Sequence, residues 1–336
     1  MPRVLYTDHD YSDLTLEREL FAGAGLELIV AQCASDDEVL AAGRDCDAFL
    51  VQYAPVTARI LSQLPRLGLI SRIGAGFDTI DTAACARQGV WLANSPDYGI
   101  GEVATHALAL ALALVRNVVA YHRDIAGGRW HYTSSGSLRR ASEMTLGIVG
   151  LGRIGKRMAH VSRNLFGSIA ACDPYLIDGD FPAYVERTTM ERLFERSEVV
   201  SIHAPLNDET RGMVAADMLS RMRRGSYLVN TARGAIVDIG DLLAALDSGI
   251  LAGAALDVLP VEPVPADSRL LGHPKLILTP HAAFFSVQAE VELRRKAAQN
   301  IVTWARTGRP DYVVVAGTRR CADAANRPPG TARAGS

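Results

Sequence analysis

The stretch Thr145-Leu146-Gly147-Ile148-Val149-Gly150-Leu151-Gly152-Arg153-Ile154-Gly155 decides the fold. Residues 146–149 form an apolar run of the kind seen in parallel strands covered on both faces. Gly150, Gly152 and Gly155 then fit G-x-G-x-x-G. The first glycine permits a tight turn, the second lets a pyrophosphate approach the backbone, and the third lets a helix pack on the strand. A helix predicted over 156–166 would offer its free amides and positive end to an anion. A second apolar strand, 168–172, ends at Asp173. A carboxylate there takes both ribose hydroxyls of NAD and repels the extra phosphate of NADP. The stretch thus predicts an NAD site.

Outward from this stretch, the chain of 336 residues is long for one core, so two domains are expected. With 49% apolar and 21% charged residues and a net charge of −2, nothing points to nucleic acid or to an anionic membrane as partner. No charged-then-apolar leader is visible, and the longest apolar run, 107–115, is too short to span a bilayer and reads as a buried helix. Cys33, Cys46, Cys85, Cys172 and Cys321 are scattered without metal-ligand spacing, so no metal is expected and reduced thiols in a cytoplasmic protein are.

Before the glycine stretch the chain alternates strand and helix. Strands are predicted at 3–7, 26–31, 48–52, 68–72 and 90–93, with helices at 15–24, 35–42, 57–64 and 79–88. This rhythm implies a parallel sheet with helices on both faces. A helix predicted at 102–119 has almost no polar face and is expected to be buried between layers. Residues 127–140, with Trp130, His131 and Tyr132, read as a polar arm whose aromatics a partner subunit would cover. After 145, further strands are predicted at 199–203, 227–230, 252–257 and 276–279, with helices at 217–222, 239–249 and, last, 285–307. The fold class is therefore α/β, two Rossmann-like or flavodoxin-like domains with parallel sheets and an active site in the cleft between them. Residues 316–336 have no apolar period and are expected to be a loose tail.

Three predicted strand ends carry chemistry: Asn230-Thr231-Ala232-Arg233-Gly234, then 257–263 with Asp257 and Glu262, then Thr279-Pro280-His281-Ala282-Ala283-Phe284. Open α/β sheets place ligands at such ends. Reduction of a 2-oxo acid needs this set. A guanidinium clamps the carboxylate and polarises the ketone. A histidine beside a carboxylate donates the proton to the forming alkoxide. The hydride comes from a nicotinamide.

These motifs together resemble the D-isomer-specific 2-hydroxyacid dehydrogenases, over about residues 1–315. The resemblance implies that Arg233 binds the substrate carboxylate and carbonyl, that Glu262 assists, and that His281 is the proton donor. It implies that Asp257 approaches the nicotinamide carboxamide and that the backbone of the segment Arg72-Ile73-Gly74-Ala75-Gly76 cups the substrate carboxylate. Arg153 and Ile154 would present amides to the pyrophosphate. Ala204, Pro205, Asn207 and Thr210 would border the adenosine and pyrophosphate, and Thr231, Ala232 and Val103 complete the expected cofactor contacts. Glu262 argues against the formate dehydrogenase branch, which carries glutamine there. Within the family, Asp173-Pro174-Tyr175-Leu176 and the run 281–289 are similar to the C-terminal-binding-protein branch, although Phe284 stands where that branch usually has tryptophan. The corepressor role of its animal members does not carry over. Tyr53, Phe284 and Trp130 are expected to set the substrate side chain.

The implied domains are 1–99 plus 287–315 for substrate and 100–286 for NAD, in a homodimer acting on a small 2-oxo or 2-hydroxy acid. Two alternatives stand beside this reading: an NAD(H)-sensing binding protein with little turnover, and a dehydrogenase of a phosphorylated or phosphonate-bearing hydroxy acid.

Overall fold

The computed structural model describes residues 1–134 and 136–321. The chain divides into two compact units, Met1–Tyr98 with the described part of Val287–Ser336, and Gly99–Ser286.

The first unit opens with a βα alternation: β1 (Arg3–Tyr6), α1 (Thr15–Gly23), β2 (Glu27–Val30), α2 (Asp36–Gly43), β3 (Ala48–Val51), α3 (Ala58–Gln63), β4 (Leu69–Arg72), α4 (Thr82–Gln88) and β5 (Trp91–Ala93). Local chemistry sets these boundaries. Ser35 and Glu38 form a reciprocal capping box at the start of α2. Asp81 accepts from the Ala84 amide to start α4, and Gly89, at φ 67°, ends it.

The second unit begins with α5 (Ile100–Val115) and α6 (Val118–Ala126). One helix over 102–119 was the expectation, and the structure corrects it. Asn117 takes a left-handed conformation at φ 51°, which asparagine tolerates, and the chain bends there by 58°. Then follow β6 (Thr145–Val149), α7 (Arg153–Ser162), β7 (Ser168–Cys172), β8 (Glu186–Arg187), α8 (Met190–Arg196), β9 (Val199–Ile202), α9 (Ala216–Ser220), β10 (Ser226–Asn230), α10 (Ile239–Asp247), β11 (Leu251–Leu256) and β12 (Leu276–Leu278). The seven strands are ordered β12-β11-β10-β9-β6-β7-β8, all parallel. Apolar layers cover both faces. Leu110, Leu114, Leu146, Ile148 and Met158 pack on one side. Leu193, Phe194, Val200, Leu242 and Leu246 pack on the other. α8 and the short β8 carry no strong apolar signal and were not expected.

The chain then returns to the first unit through α11 (Val287–Thr307) and β13 (Val313–Val315). β13 joins antiparallel to β5, and the sheet order is β13-β5-β4-β3-β1-β2. α11 is held by a buried two-point ion pair, Arg294 Nε and Nη2 each donating at 2.7 Å to Glu17, whose side chain is 0% exposed. Ser71 Oγ donates to the Ala297 carbonyl at 2.8 Å, and Asn300 Nδ2 donates to the Asn94 carbonyl at 3.0 Å.

The loose-tail expectation fails for its first residues. The Thr318 and Arg319 amides donate to the Gly89 carbonyl, and Trp91 and Trp304 both donate from Nε1 to the Arg319 carbonyl. The Arg319 guanidinium caps the carbonyls of Leu64, Pro65 and Leu67, and Cys321 is buried. Polar main-chain contacts of this kind leave no apolar period to read. Residues 322–336 lie outside the described residues.

No single helix among the described residues is long and apolar enough to cross a membrane. The bent pair α5 and α6 has the length and composition, but α5 is a core helix, with Ala104, Ala107, Leu110, Ala111, Leu114 and Val115 all buried.

Candidate active site

The strand order of the second unit lays the candidate residues in a row along the carboxyl ends of its sheet. From β12 to β7 come His281, then Asp257 and Glu262, then Arg233, then the 204–210 loop, then the glycine turn, then Asp173. β6 lies between β9 and β7, so the order in which the chain adds parallel strands reverses beside the glycine turn, where ligands of open α/β sheets bind.

The three glycines have three different reasons. Gly150 sits at φ 85°, and a Cβ on it would lie 2.8 Å from the Ala204 amide nitrogen. A Cβ on Gly155 would fall 2.1 Å from the Gly150 carbonyl oxygen, so α7 can rest on the turn only without one. At Gly152 a Cβ would meet nothing within 4 Å. Open space there, at the amino end of a ten-residue helix beginning with Arg153 and Ile154, fits a pyrophosphate. Asp173 ties the turn to β7, its Oδ2 accepting from the Leu151 amide at 2.9 Å and its Oδ1 from the Tyr175 amide at 3.0 Å. Tyr175 donates its hydroxyl to Glu209, which links this corner to the 204–210 loop. In that loop Asn207 and Thr210 bind each other and Thr210 Oγ1 donates to the Pro205 carbonyl, so their side chains set the loop's shape beside Ala204. Thr231 Oγ1 is buried and has no hydrogen-bond partner among the described residues. A buried orphan hydroxyl is costly unless a ligand completes it, and a dinucleotide amide or phosphate oxygen would do so. These features fit the nicotinamide dinucleotide expected from the sequence. Val103, the fourth residue of α5, is half-buried.

The three chemical side chains converge. His281 Nδ1 lies 2.7 Å from Glu262 Oε2. An ionised carboxylate only accepts, so Nδ1 carries the hydrogen and Nε2 is the nitrogen left to exchange a proton. Glu262 is fixed at its other oxygen by the Leu259 amide at 2.7 Å. Burial works against its ionisation, yet the hydrogen bonds from His281 and Leu259 and the nearby His281 and Arg233 charges outweigh it. The carboxyl is held below its ordinary value of 4.5. His281 itself takes a left-handed backbone, φ 54°, stabilised by its amide donating to the Asp257 carbonyl at 2.8 Å.

Arg233 follows β10 on a turn clamped by a side chain the sequence reading gave no task. Asn230, fully buried, accepts from the Ala232 amide at 3.0 Å and donates to the Arg233 carbonyl at 2.9 Å. Gly234 lets this turn press on the 259–260 backbone, where a Cβ would come within 2.0 Å of the Leu259 carbonyl carbon. Asp257 is likewise a clamp. Its Oδ1 accepts from Thr279 Oγ1 at 2.5 Å and the Ala282 amide at 2.9 Å, and its Oδ2 from the Ala283 amide at 2.9 Å. His106 of α5 reaches Thr279 Oγ1 at 3.1 Å. The clamping roles of Asn230 and Thr279, and His106 altogether, escaped the sequence reading because bridging contacts of this kind have no motif of their own. Phe284 packs against Gly99 and meets Phe285 edge-on. Among the described residues no group of three His, Cys, Asp or Glu side chains is placed to hold a metal ion.

Arg72, Gly74, Ala75, Gly76 and Tyr53 belong to the first unit and form a cluster of their own. Arg72 Nη1 donates to the Ile73 carbonyl at 2.6 Å and lies across Gly74, whose φ of 147° and missing Cβ make room for it. The Gly74 and Ala75 carbonyls are held by the Ser95 amide and by Asn94 Nδ2.

Residues 108–283 match the profile described as "D-isomer specific 2-hydroxyacid dehydrogenase, NAD binding domain". Over 277 residues the chain is 34% identical to a glyoxylate reductase of Korarchaeum cryptofilum, covering 81% of this chain and 83% of that one. It is 31% identical to a glycerate dehydrogenase of Methylorubrum extorquens, covering 94% and 99%. Its fold superposes on an NADPH-dependent glyoxylate/hydroxypyruvate reductase of Sinorhizobium meliloti, solved with NADP and malonate. The TM-score is 0.83, with 28% identity and coverage of 95% and 99%. These relatives carry the family and leave the C-terminal-binding-protein branch as a likeness of two short motifs. With its glycine turn, its Arg233–Glu262–His281 group and these relatives, the chain belongs to the D-isomer-specific 2-hydroxyacid dehydrogenases, nicotinamide-dependent oxidoreductases of the CH–OH group.

Proposed function

We propose that the protein reduces a small 2-oxo acid to the D-2-hydroxy acid with NADH, His281 supplying the proton. The observation that carries this is the 2.7 Å bond between His281 Nδ1 and Glu262, a carboxylate held ionised within reach of the Arg233 charge. The bound nicotinamide would supply the hydride, and the chain's residues do the rest. Arg233 binds the substrate carboxylate and draws electron density from the ketone oxygen. Glu262 fixes the imidazole ring and stabilises its protonated form. His281 gives its Nε2 proton to the oxygen as negative charge develops there. Asn230 and Asp257 position Arg233 and His281 without touching substrate. The Arg72 turn of the first unit takes the substrate carboxylate, as the family resemblance implies, and Tyr53 and Phe284 border the substrate side chain. Asp173 selects NAD over NADP by charge.

A homodimer is part of this reading. Trp130 and Tyr132, 86% and 82% exposed, follow α6, whose own Val118 and Ile125 are exposed, and such a patch suits a second copy of the chain. Free thiols at Cys33, Cys46, Cys85 and Cys172 suit a reducing compartment such as the cytoplasm.

The test is loss of NADH absorbance with glyoxylate, hydroxypyruvate and pyruvate, in the unaltered protein and in His281→Ala. Removing the general acid should lower kcat/KM by roughly 1,000-fold with NADH binding retained. A silent panel in the unaltered protein, or full activity in the variant, overturns the assignment. In that case the sensing role becomes the better reading.

A further inference from the structure

The first unit holds a second carboxylate beside the Arg72 turn that no step above uses. Strands β4, β3 and β1 are neighbours, so the loops after them stand side by side. The first carries Arg72, the second Tyr53 and the third Asp8 and Asp10. The two aspartates have opposite situations. Asp8 is buried and consumed by its surroundings, accepting from the Tyr53 amide at 2.6 Å, the Ala54 amide at 3.1 Å and Thr7 Oγ1 at 2.7 Å. It shapes the loop. Asp10 is exposed, and its two side-chain partners, Tyr53 Oη at 2.6 Å and Gln52 Nε2 at 3.2 Å, both fall on Oδ2. The Asp10 amide donates to Gln52 Oε1 at 3.3 Å, which pins the backbone as well. Asp10 is thus a fixed negative charge on the far side of Tyr53 from Arg72. Burial first, then Asp10, pushes the Tyr53 phenol up to about 12, so it stays a neutral donor at physiological pH.

A row of cation, phenol and carboxylate has a direction. Adjacent strands lie about 4.8 Å apart, so Arg72 and Asp10 sit roughly 10 Å apart along the rim. A three-carbon acid whose carboxylate meets the cation extends its other end toward the carboxylate. We propose that Asp10, held by Tyr53, is a specificity-determining residue that turns away 2-oxo acids bearing a second anionic group. It favours those whose far end is hydrogen, methyl or hydroxyl. The proposal rests on the Arg72 turn receiving the substrate carboxylate. It speaks against the phosphorylated-substrate alternative raised from the sequence.

The experiment compares two substrates that differ only in the added charge, hydroxypyruvate and hydroxypyruvate 3-phosphate, as a ratio of kcat/KM. In the unaltered enzyme the unphosphorylated acid should be strongly preferred. Asp10→Asn should shift the ratio toward the phosphate by about tenfold, whatever happens to either constant alone. Tyr53→Phe keeps the charge and should shift it less. Raising salt should narrow the preference in the unaltered enzyme and leave it flat in Asp10→Asn, since a charge across solvent is screened and a packing effect is not. The salt series alone decides the matter if Asp10→Asn does not fold. A ratio unmoved by the substitution, or unmoved by salt, overturns the filter while hydroxypyruvate turnover keeps the functional reading intact. Absence of turnover with hydroxypyruvate, glyoxylate and pyruvate overturns both.

Discussion

Two glycine turns stand at the carboxyl ends of parallel strands, one in each unit, and the function we propose asks each to bind an anion by different means. The turn after β6 runs directly into α7, and its glycines clear space for main chain: the Ala204 amide beside Gly150, the Gly150 carbonyl beside Gly155. The turn after β4 has no helix until Thr82, and its glycine clears space for a side chain, with Arg72 Nη1 lying where a Gly74 Cβ would be. In the first, binding power comes from backbone amides and a helix end. In the second, the proposed reading adds one guanidinium to the backbone of Gly74, Ala75 and Gly76. A sequence pattern betrays the first because every glycine has a fixed offset. The second needs its partners to be seen.

The largest effect that would break this contrast is at Gly155. Gly155→Val would put carbon onto the Gly150 carbonyl and lift α7 from the turn, weakening NADH binding by roughly 100-fold, about 3 kcal/mol. Fluorescence titration of NADH measures it, and tight binding in the variant would show that helix placement is not what holds the cofactor. Gly74→Ala comes next. It should displace the Arg72 guanidinium and raise KM for the 2-oxo acid by about tenfold, with the NADH dissociation constant unmoved. A changed NADH constant would mean the two turns are not separable.

The smallest effect sharpens the contrast by pH. Neither a backbone amide nor a guanidinium titrates between pH 5 and 9, so both anion sites should hold their affinity there within about twofold. Glu262, lowered from 4.5, stays ionised as pH falls to that value. Its support for His281 is fully present above pH 4.5 and is lost only as pH falls through the lowered pKa. An acid limb of kcat above pH 5 would contradict this.

Much of this is legible in the sequence alone. Strand, glycine turn and helix at 145–155 are local, and so are the motifs holding Arg233, Glu262 and His281. What escaped was tertiary. The 102–119 run reads as one apolar helix because apolar period says nothing about Asn117, whose left-handed turn is one residue long. β13 and the 317–321 segment are ordered by partners more than two hundred residues away, Trp91 and Gly89 among them. Asp257 carries the family's aspartate position, yet its visible work is to hold the amides of Ala282 and Ala283. Motifs report which residues sit at a site and not which of them act through a neighbour.

The buried pair between Arg294 and Glu17 has a consequence for how the molecule is made. Glu17 leaves the ribosome 277 residues before its partner does, with the whole of Gly99–Ser286 in between. A carboxylate that ends in a dry interior must therefore wait, hydrated, while the central unit is synthesised and free to fold. The first unit closes last, around a charge it held open for most of translation.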